Sequence, residues 1–343
     1  MTGKEEKRVK ILLDKNKNYY KANLHTHTNM SDGGKSLEET KEHYKKNGYS
    51  VVAFTDHEHV LDNSYLNDDD FLAITSCEVA IKQFAKESTL KKMDMKVTHL
   101  NFYALDPHNT ETPCYSSVAD HFINDNCRDR IAYPEKDYER VYSAEGINEM
   151  IRIAREKGFI VSYNHPGWSL ETANDYINYD DFWAVEIVNY SCLNSGIPDD
   201  EVVFDHMLRA GKKIFCTACD DCHNHAPFDS IQSDACGAWI EINAEKLDYD
   251  TIMIALQNGD FYASTGPEIY SLTVDGNKIS VECSDAVKLS LVTGTRRVQT
   301  IHAEHGESIT KAEFEIRDTD NYCRIRIEDK NGKKAYTQSF FKE

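Results

Sequence analysis

The chain has 343 residues, of which 58 are acidic and 39 basic, and its formal net charge is −19. Such a charge repels polyanions, so we expect no binding to extended nucleic acid. No apolar run reaches the roughly 20 residues of a membrane span, and the charged N-terminus leads into no signal-like segment. We therefore expect a cytoplasmic protein without a membrane partner, and the composition gives no indication of its oligomeric state.

Most of the chain up to residue 266 alternates apolar strands with helices. Ser36 and Glu39 form a capping box before a helix that is predicted to end near Asn47. With its flanking strands this helix makes residues 22–55 a βαβ unit. Later strands are predicted at 71–75, 97–103, 159–163, 183–188, 213–217 and 238–242, and later helices at 147–157, 201–210 and 249–258. This alternation indicates an α/β protein and favours a TIM-like (β/α) barrel.

Two regions depart from the alternation. Residues 107–142 are polar and irregular, which predicts an insertion over a site or a small subdomain. After Gly266, short strand patterns follow one another with hairpin turn signals at Asp275-Gly276 and Asn331-Gly332. We therefore expect a barrel domain at 1–268 and a small all-β, sandwich-like C-terminal domain at 269–343.

Histidines and carboxylates follow the predicted strands. His25 and His27 stand two residues apart on an extended segment, so their side chains point to one side and suit a shared metal ion. Asp32 follows in a Ser-Asp-Gly turn, and a buried strand pattern ends at Asp56 and His57. The remaining candidates at strand ends are Glu78, His99, His165, Asp221 and His223. Singly, each has an ordinary structural explanation, but together they predict a metal site at one face of the barrel.

The order His-Thr-His, Ser-Asp-Gly, Thr-Asp-His resembles the polymerase-and-histidinol-phosphatase (PHP) family of metallohydrolases, and the likeness covers about residues 22–266. The resemblance implies a distorted seven-stranded barrel and two or three divalent ions, for which Zn²⁺, Mn²⁺ and Fe²⁺ are all suitable. The implied ligands are His25, His27, Glu78 and Asp221 for the first ion, Glu78, His99 and His165 for the second, and Asp32, His57 and His223 for the third.

Further roles follow from the same resemblance. Asp56 is expected to orient a liganding histidine. His57 or His223 is a candidate to protonate the leaving group where the third ion is absent. Asp221 fits the final Asp-x-His motif better than Asp220, and His59 has either a pocket role or a structural one.

The implied activity is hydrolysis of small phosphate mono- or diesters, nucleotides among them, by attack of a metal-activated hydroxide on phosphorus. The alternative is a metal-dependent carbamate, amide or ester hydrolase that uses the same site. A non-enzymatic binding barrel is a third hypothesis, and the intact ligand set argues against it. Arg128, Arg130 and Arg209 are the basic candidates for phosphate anchors, although a surface position explains each of them better. Since the candidate ligands all precede Gly266, we expect none after about residue 270.

Overall fold

The computed structural model describes residues 9–83 and 95–342. In chain order the strands are β1 Lys10–Leu13, β2 Asn18–Asn23, β3 Val51–Phe54, β4 Leu72–Lys82, β5 Val97–Ala104, β6 Phe159–Tyr163, β7 Ala184–Asn189, β8 Phe215–Cys219, β9 Trp239–Ala244, β10 Phe261–Ser264, β11 Ile269–Asp275, β12 Lys278–Ala286, β13 Lys288–Thr293, β14 Gln299–His302, β15 Ile309–Glu315, β16 Tyr322–Glu328, β17 Lys334–Thr337 and β18 Phe340–Phe341. The helices are α1 Leu37–Lys46, α2 Ala144–Glu156, α3 Ala173–Tyr176, α4 Tyr190–Asn194, α5 Glu201–Arg209 and α6 Tyr249–Asn258. No helix within the described ranges is long and apolar enough to cross a membrane.

The protein is a mixed α/β structure with one large sheet. The strand order in this sheet is β14-β13-β16-β17-β10-β9-β2-β3-β4-β5-β6-β7-β8, and β18 pairs with β16. A second, smaller sheet has the order β1-β11-β12-β15. Strands β2 to β8, which carry or precede the candidate ligands, are neighbours in the large sheet. Their order brings ligands from distant parts of the sequence close together.

The predicted βαβ unit is confirmed. Ser36 caps α1, since its hydroxyl accepts from the Glu39 backbone while the Glu39 side chain accepts from the Ser36 backbone. The four residues of β3 are all buried, which suits their apolar, β-branched composition. Because β3 pairs in parallel with both β2 and β4, the C-terminal ends of β2 and β3 open towards the same edge.

Strand β4 is longer than the predicted 71–75, and this changes the topology. It pairs in parallel with β3 over residues 72–75 and then antiparallel with β5 over residues 76–82. Strand β5 is also antiparallel to β6. Glu78 and His99 therefore lie inside strands rather than at strand ends, and the sheet is not the all-parallel sheet of a TIM-like barrel.

The predicted seven-stranded barrel is not confirmed, because the strand path is open. Strands β8 and β2 do not pair within their own bounds. Beyond them one parallel bridge joins Thr26 to Cys222, and the backbone N–H of His27 donates to the Cys222 carbonyl at 2.9 Å. This contact brings the residues after β2 beside those after β8.

The strands after residue 268 include the two predicted hairpins, β11–β12 and β16–β17. Strands β13, β14, β16, β17 and β18 extend the large sheet through the pairing of β17 with β10, whereas β11, β12 and β15 belong to the smaller sheet. Apolar residues of both groups, among them Leu272, Ile279, Phe314 and Ile325, form one core. The fully buried Arg324 guanidinium binds α5 through Glu201 at 2.7 Å and Asp205 at 3.0 Å. The domain boundary at 268/269 stays a prediction.

Residues 107–142 contain two short 3₁₀ turns, Ser117–Phe122 and Arg128–Arg130, and otherwise irregular backbone. The segment packs a small apolar core of its own against Leu61. Buried Arg140 anchors it to the sheet, because its guanidinium lies 2.6 Å from the Glu58 carboxylate and donates to the Ala80 carbonyl at 2.9 Å.

Candidate metal centre

The structure brings the predicted ligands together in three overlapping sets, in each of which the ligand atoms lie within 4.8 Å of one another. The sets are His27, Asp32, His57 and His223; His25, Glu78 and His165; and His25, His27 and Asp221. His99 is the one predicted ligand outside these sets. Its Nδ1 nevertheless lies 3.0 Å from Glu78 Oε1, so it borders the second set.

A backbone hydrogen bond between the segment after β2 and the segment after β8 explains how Asp221 meets His25 and His27. The backbone N–H of Asp221 donates to the His25 carbonyl at 2.9 Å. The side chains of His25, His27 and Asp221 therefore lie on the same side of the two adjoining segments. As a result, Asp221 Oδ1 lies 3.1 Å from Nε2 of His25 and 3.1 Å from Nε2 of His27.

Glu78 is the central carboxylate. Its Oε1 lies 3.2 Å from His25 Nε2 and 3.4 Å from His165 Nε2. Its Oε2 lies 3.2 Å from His57 Nδ1 and 3.5 Å from His27 Nε2. The side chain is 1% exposed. Both oxygens thus face different histidines, which is the arrangement that a bridging ligand requires.

Three polar residues support the ligands, and the sequence reasoning missed all of them. Glu186 Oε1 lies 3.1 Å from His25 Nδ1. Asn189 donates to Glu186 at 3.0 Å and to Asp221 at 2.9 Å, and Asn164 donates to Glu78 at 2.8 Å. The signal for Glu186 was available, since it is the one charged residue in the buried strand β7.

Asp56 has a different role from the one expected. Its carboxylate accepts four hydrogen bonds, from the N–H and hydroxyl of Thr28 at 2.7 Å each, and from the N–H and hydroxyl of Ser31 at 3.1 and 2.7 Å. Asp56 therefore holds the loop that carries Asp32, and the histidine-orienting carboxylate is Glu186.

Asp220 and His59 have structural contacts. Buried Asp220 accepts from the backbone N–H groups of residues 236–238 and from the Tyr44 hydroxyl. This agrees with the preference for Asp221 as the ligand. The Nδ1 of His59 donates to the His57 carbonyl at 2.6 Å, and its Nε2 lies 3.6 Å from the Cys127 sulfur. Of the two roles left open for His59, the structure supports the structural one.

Two of the ligand residues have backbone conformations that few side chains adopt. His165 has a φ of 27° and Asp221 a φ of 52°, both in the left-handed region. Strain of this kind is retained where the surrounding contacts fix a functional geometry. Here those contacts include Glu186, whose Oε2 accepts from the His165 N–H at 3.2 Å.

The electrostatics of the cluster suit bound cations. Burial opposes a charge on His25, but Asp221, Glu78 and Glu186 outweigh it and raise its pKa well above the usual value. The pKa of His57 likewise rises to about 9 despite burial, through Asp32 and Glu78. The pKa of His27 instead falls to about 4, because it is buried beside His223 and His57. The carboxylates thus draw positive charge into the cluster, which divalent ions supply in a metal site.

Two ring nitrogens give an independent test of the fit. The Nδ1 atoms of His27 and His57 are buried and have no hydrogen-bond partner among the described residues. Such atoms are costly when left unpaired. Each faces a carboxylate without bonding to it, Asp32 at 3.8 Å and Glu78 at 3.2 Å. A cation between nitrogen and oxygen would satisfy both, so the residues present fit divalent metal ions.

A cavity of about 380 Å³ lies over the cluster. The ligands that line it are Asp32, His57, Glu78, His99, His165, Asp221 and His223. The three candidate phosphate anchors lie elsewhere, with Arg128 on Asp125, Arg130 on Asn63 and Arg209 on Asp205. Among the described residues, none after 223 lines this cavity.

Comparison with known proteins gives structural likeness at low identity. No family model matches the sequence, and no curated protein matches it. A two-domain protein from Bacteroides vulgatus, described as containing a predicted PHP-like metal-dependent phosphoesterase, is 13% identical with a TM-score of 0.43, and the match covers 99% of this chain and 100% of that one.

Two further solved structures match over a shorter range. A protein from Bifidobacterium adolescentis, described as a metal-dependent phosphoesterase by prediction, is 14% identical with a TM-score of 0.34, over 62% of this chain and 91% of that one. An amidohydrolase from Chromobacterium violaceum, with bound sulfate and no metal, is 14% identical with a TM-score of 0.34. The match covers 59% of this chain and 87% of that one. The chain is thus similar in structure to two proteins described as metal-dependent phosphoesterases, one of them PHP-like, and to an amidohydrolase.

Proposed function

We propose that the protein is a metal-dependent hydrolase of small phosphate mono- or diesters, nucleotides among them. The observation that carries the proposal is the bridging position of Glu78 among three overlapping ligand sets. Adjacent dications suit a phosphoryl group, because its several anionic oxygens can each find a positive charge. We include two or three divalent ions in the proposal, with Zn²⁺, Mn²⁺ and Fe²⁺ as candidates.

The residues have separate tasks in this proposal. His25, His27, Glu78 and Asp221 would hold one ion, Glu78, His99 and His165 a second, and Asp32, His57 and His223 a third. When bound, such ions lower the pKa of a coordinated water and neutralise charge on the phosphoryl oxygens.

The surrounding groups fix the orientation of the ligands. A carboxylate only accepts hydrogen bonds, so Glu186 keeps the proton of His25 on Nδ1 and directs the lone pair of Nε2 into the cluster. Asn164 fixes the Glu78 carboxylate. His57 and His223 line the cavity beside Asp32, and where the third ion is absent either one could supply a proton to the leaving oxygen.

The cavity supports a small substrate. Its volume of about 380 Å³ is at the lower end of the roughly 300–1,000 Å³ typical of ligand pockets. Phe122 of the 107–142 segment forms part of its wall, so this segment narrows the approach to the ligands. A long nucleic acid strand would also be repelled by the net charge of −19.

A substrate panel tests the proposal. We expect the Mn²⁺-supplemented protein to hydrolyse 4-nitrophenyl phosphate or its bis ester, and at least one small nucleotide. Naphthyl and nitrophenyl carbamates in the same panel represent the alternative reaction at a carbonyl carbon. A higher kcat/KM for a carbamate than for every phosphoester would replace the proposal by that alternative.

We also propose that strands β2 to β8 form the distorted seven-stranded barrel, closed through the Thr26–Cys222 bridge. The backbone hydrogen bonds that flank this bridge support the closure. Slow amide exchange of the Asp221 and His27 N–H groups, measured by NMR on the whole protein, would support it, and exchange as fast as in exposed loops would contradict it.

A further inference from the structure

The cavity over the metal cluster has walls of a different character from its floor. The floor consists of the charged and imidazole ligands, whereas the wall includes several apolar side chains, among them Phe122, Trp168, Val97, Cys192 and Ile197. Away from the ligands, the hydroxyl groups among the described lining residues are those of Ser191 and Ser195. The wall therefore has apolar surface to bury and few groups to pair with a polyol.

Two aromatic rings of the wall are fixed against the ligand histidines. The Phe122 ring lies 4.8 Å from that of His57, centroid to centroid. The Trp168 ring lies 5.2 Å from that of His99 and 4.9 Å from that of His165. The rings of His57 and His99 are themselves 5.7 Å apart, so Phe122, His57, His99 and Trp168 form a row of four rings that line the cavity.

The two lysines of the wall already have partners in the protein. The Lys96 ammonium is held by the Asp175 carboxylate at 2.6 Å. The Lys82 ammonium lies 5.1 Å from the centroid of the Phe122 ring, over its face. Both cations thus already have partners in the protein, and the Lys82 contact leaves Phe122 with a polarised, partly covered ring.

From these contacts we propose that the site selects phosphoesters whose organic group is a flat, apolar ring, with Phe122 and Trp168 as the specificity-determining residues. The inference rests on the proposed function and adds to it the chemical class of the leaving group. The ring of the substrate lies along the aromatic row, where it buries apolar area and stacks on Trp168 or against Phe122. Sugar and polyol phosphates that carry no flat ring lose their water there without gaining equivalent hydrogen bonds.

Binding of phosphonates tests the inference without turnover. Calorimetric titration of the Mn²⁺-loaded protein would compare benzylphosphonate with 2-hydroxyethylphosphonate, which present the same anion to the metals. We expect benzylphosphonate to bind at least about tenfold more tightly, as burial of one aromatic ring implies. Equal affinities would overturn the inference while leaving the phosphoesterase proposal intact. Failure of both phosphonates to bind, in a protein that cleaves carbamates, would overturn both.

Variants then identify the residues. Phe122→Ala and Trp168→Ala should each reduce the affinity for benzylphosphonate several-fold more than the affinity for 2-hydroxyethylphosphonate, with the Mn²⁺ content measured in each variant. Phe122→Leu and Trp168→Phe should retain more of the preference, since they keep apolar area. Val118→Ala and Leu170→Ala are the matched controls, because these apolar residues are exposed in the same two segments and do not line the cavity. An equal loss for both phosphonates, or a loss of Mn²⁺, would show that the rings only support the ligand histidines.

A kinetic comparison separates ring recognition from leaving-group reactivity. Benzyl phosphate and glycerol 1-phosphate both release a primary alcohol, so their intrinsic reactivities are similar. We expect a kcat/KM ratio of about tenfold in favour of benzyl phosphate, lost in Trp168→Ala. A ratio near one in the unmodified protein would contradict the inference.

Discussion

The Nδ1 atom of His25 lies 3.1 Å from Oε1 of Glu186, although 161 positions separate the two residues in the chain. Both side chains are buried, and Glu186 also accepts from the backbone N–H of His165 at 3.2 Å. One carboxylate from β7 therefore fixes two ligand residues, one that follows β2 and one that follows β6. Its position explains how the site keeps its shape without Asp56 contacting any liganding histidine.

Replacing Glu186 should weaken metal binding without removing a ligand. Loss of a carboxylate behind a liganding histidine typically costs about 10–100-fold in affinity or activity, so we expect that loss of Mn²⁺ affinity in Glu186→Ala. Glu186→Gln should lose less, since an amide oxygen still accepts from His25. Chelator competition measures the affinity, and exposed Glu245→Ala is the control. Unchanged affinity in Glu186→Ala would contradict the role assigned to this residue.

Removal of Glu78 should have a larger effect, because its two oxygens face different ligand sets. We expect Glu78→Ala to lose most of its bound metal and all detectable hydrolysis. Elemental analysis of gently purified protein would give the metal content, with circular dichroism to confirm folding. A folded Glu78→Ala protein with near-normal turnover would refute the proposed site.

Glu241 predicts a pH dependence of stability that lies outside the metal centre. Burial raises its pKa from 4.5 to about 7, against the influence of Lys21 and the Trp239 N–H. Between these values the folded state binds more protons than the unfolded state, so this residue's contribution to stability falls as pH rises. Glu241→Gln should remove this pH-dependent loss of stability, because a glutamine side chain does not titrate.

The measurement is the melting temperature of Glu241→Gln relative to the unmodified protein at pH 5 and pH 8. We expect the melting temperature of the variant, relative to that of the unmodified protein, to be higher at pH 8 than at pH 5. Comparison at each pH cancels the titration of the other groups. Glu245→Gln should show no such trend, and a difference independent of pH in Glu241→Gln would refute the prediction.

The C-terminal strands depend on Arg324 for their contact with α5. Arg324→Met leaves Glu201 and Asp205 with less compensation in a buried site, so we expect a loss of about 3–5 kcal/mol in the free energy of unfolding. Arg326→Met should cost less, because that side chain is 27% exposed. Urea unfolding measures both. Since no described residue after 223 lines the cavity, activity per folded molecule should be unchanged in either variant.

Much of the site follows from sequence because its ligands sit in local patterns. The His25–His27 pair, the Asp32 turn and the Asp221–His223 pair each follow from a few neighbouring residues. Strand and helix positions were predictable for the same reason, as the capping box of α1 illustrates. Predictions of this kind depend on the spacing of apolar residues and on side chains that are a few positions apart in the chain.

The remaining features depend on contacts between distant segments. The antiparallel pairing of β4 with β5 follows from register across the sheet, and no local pattern near Glu78 indicates it. The role of Asp56 was wrongly inferred for a related reason, since its partners Thr28 and Ser31 lie 28 and 25 positions away. Glu186 could be singled out as a buried charge in an apolar strand, but its partner His25 could not.

Strand β1 covers one edge of the smaller sheet, where Lys10 lies opposite Val274 and Leu13 opposite Leu272. A recombinant chain that begins after Leu13 would leave β11 with a row of unpaired N–H and C=O groups next to an apolar core. Open edges of this kind pair with other chains. We therefore expect the starting residue chosen for expression to affect aggregation of this protein, even though residues 10–13 supply no candidate ligand and do not line the cavity.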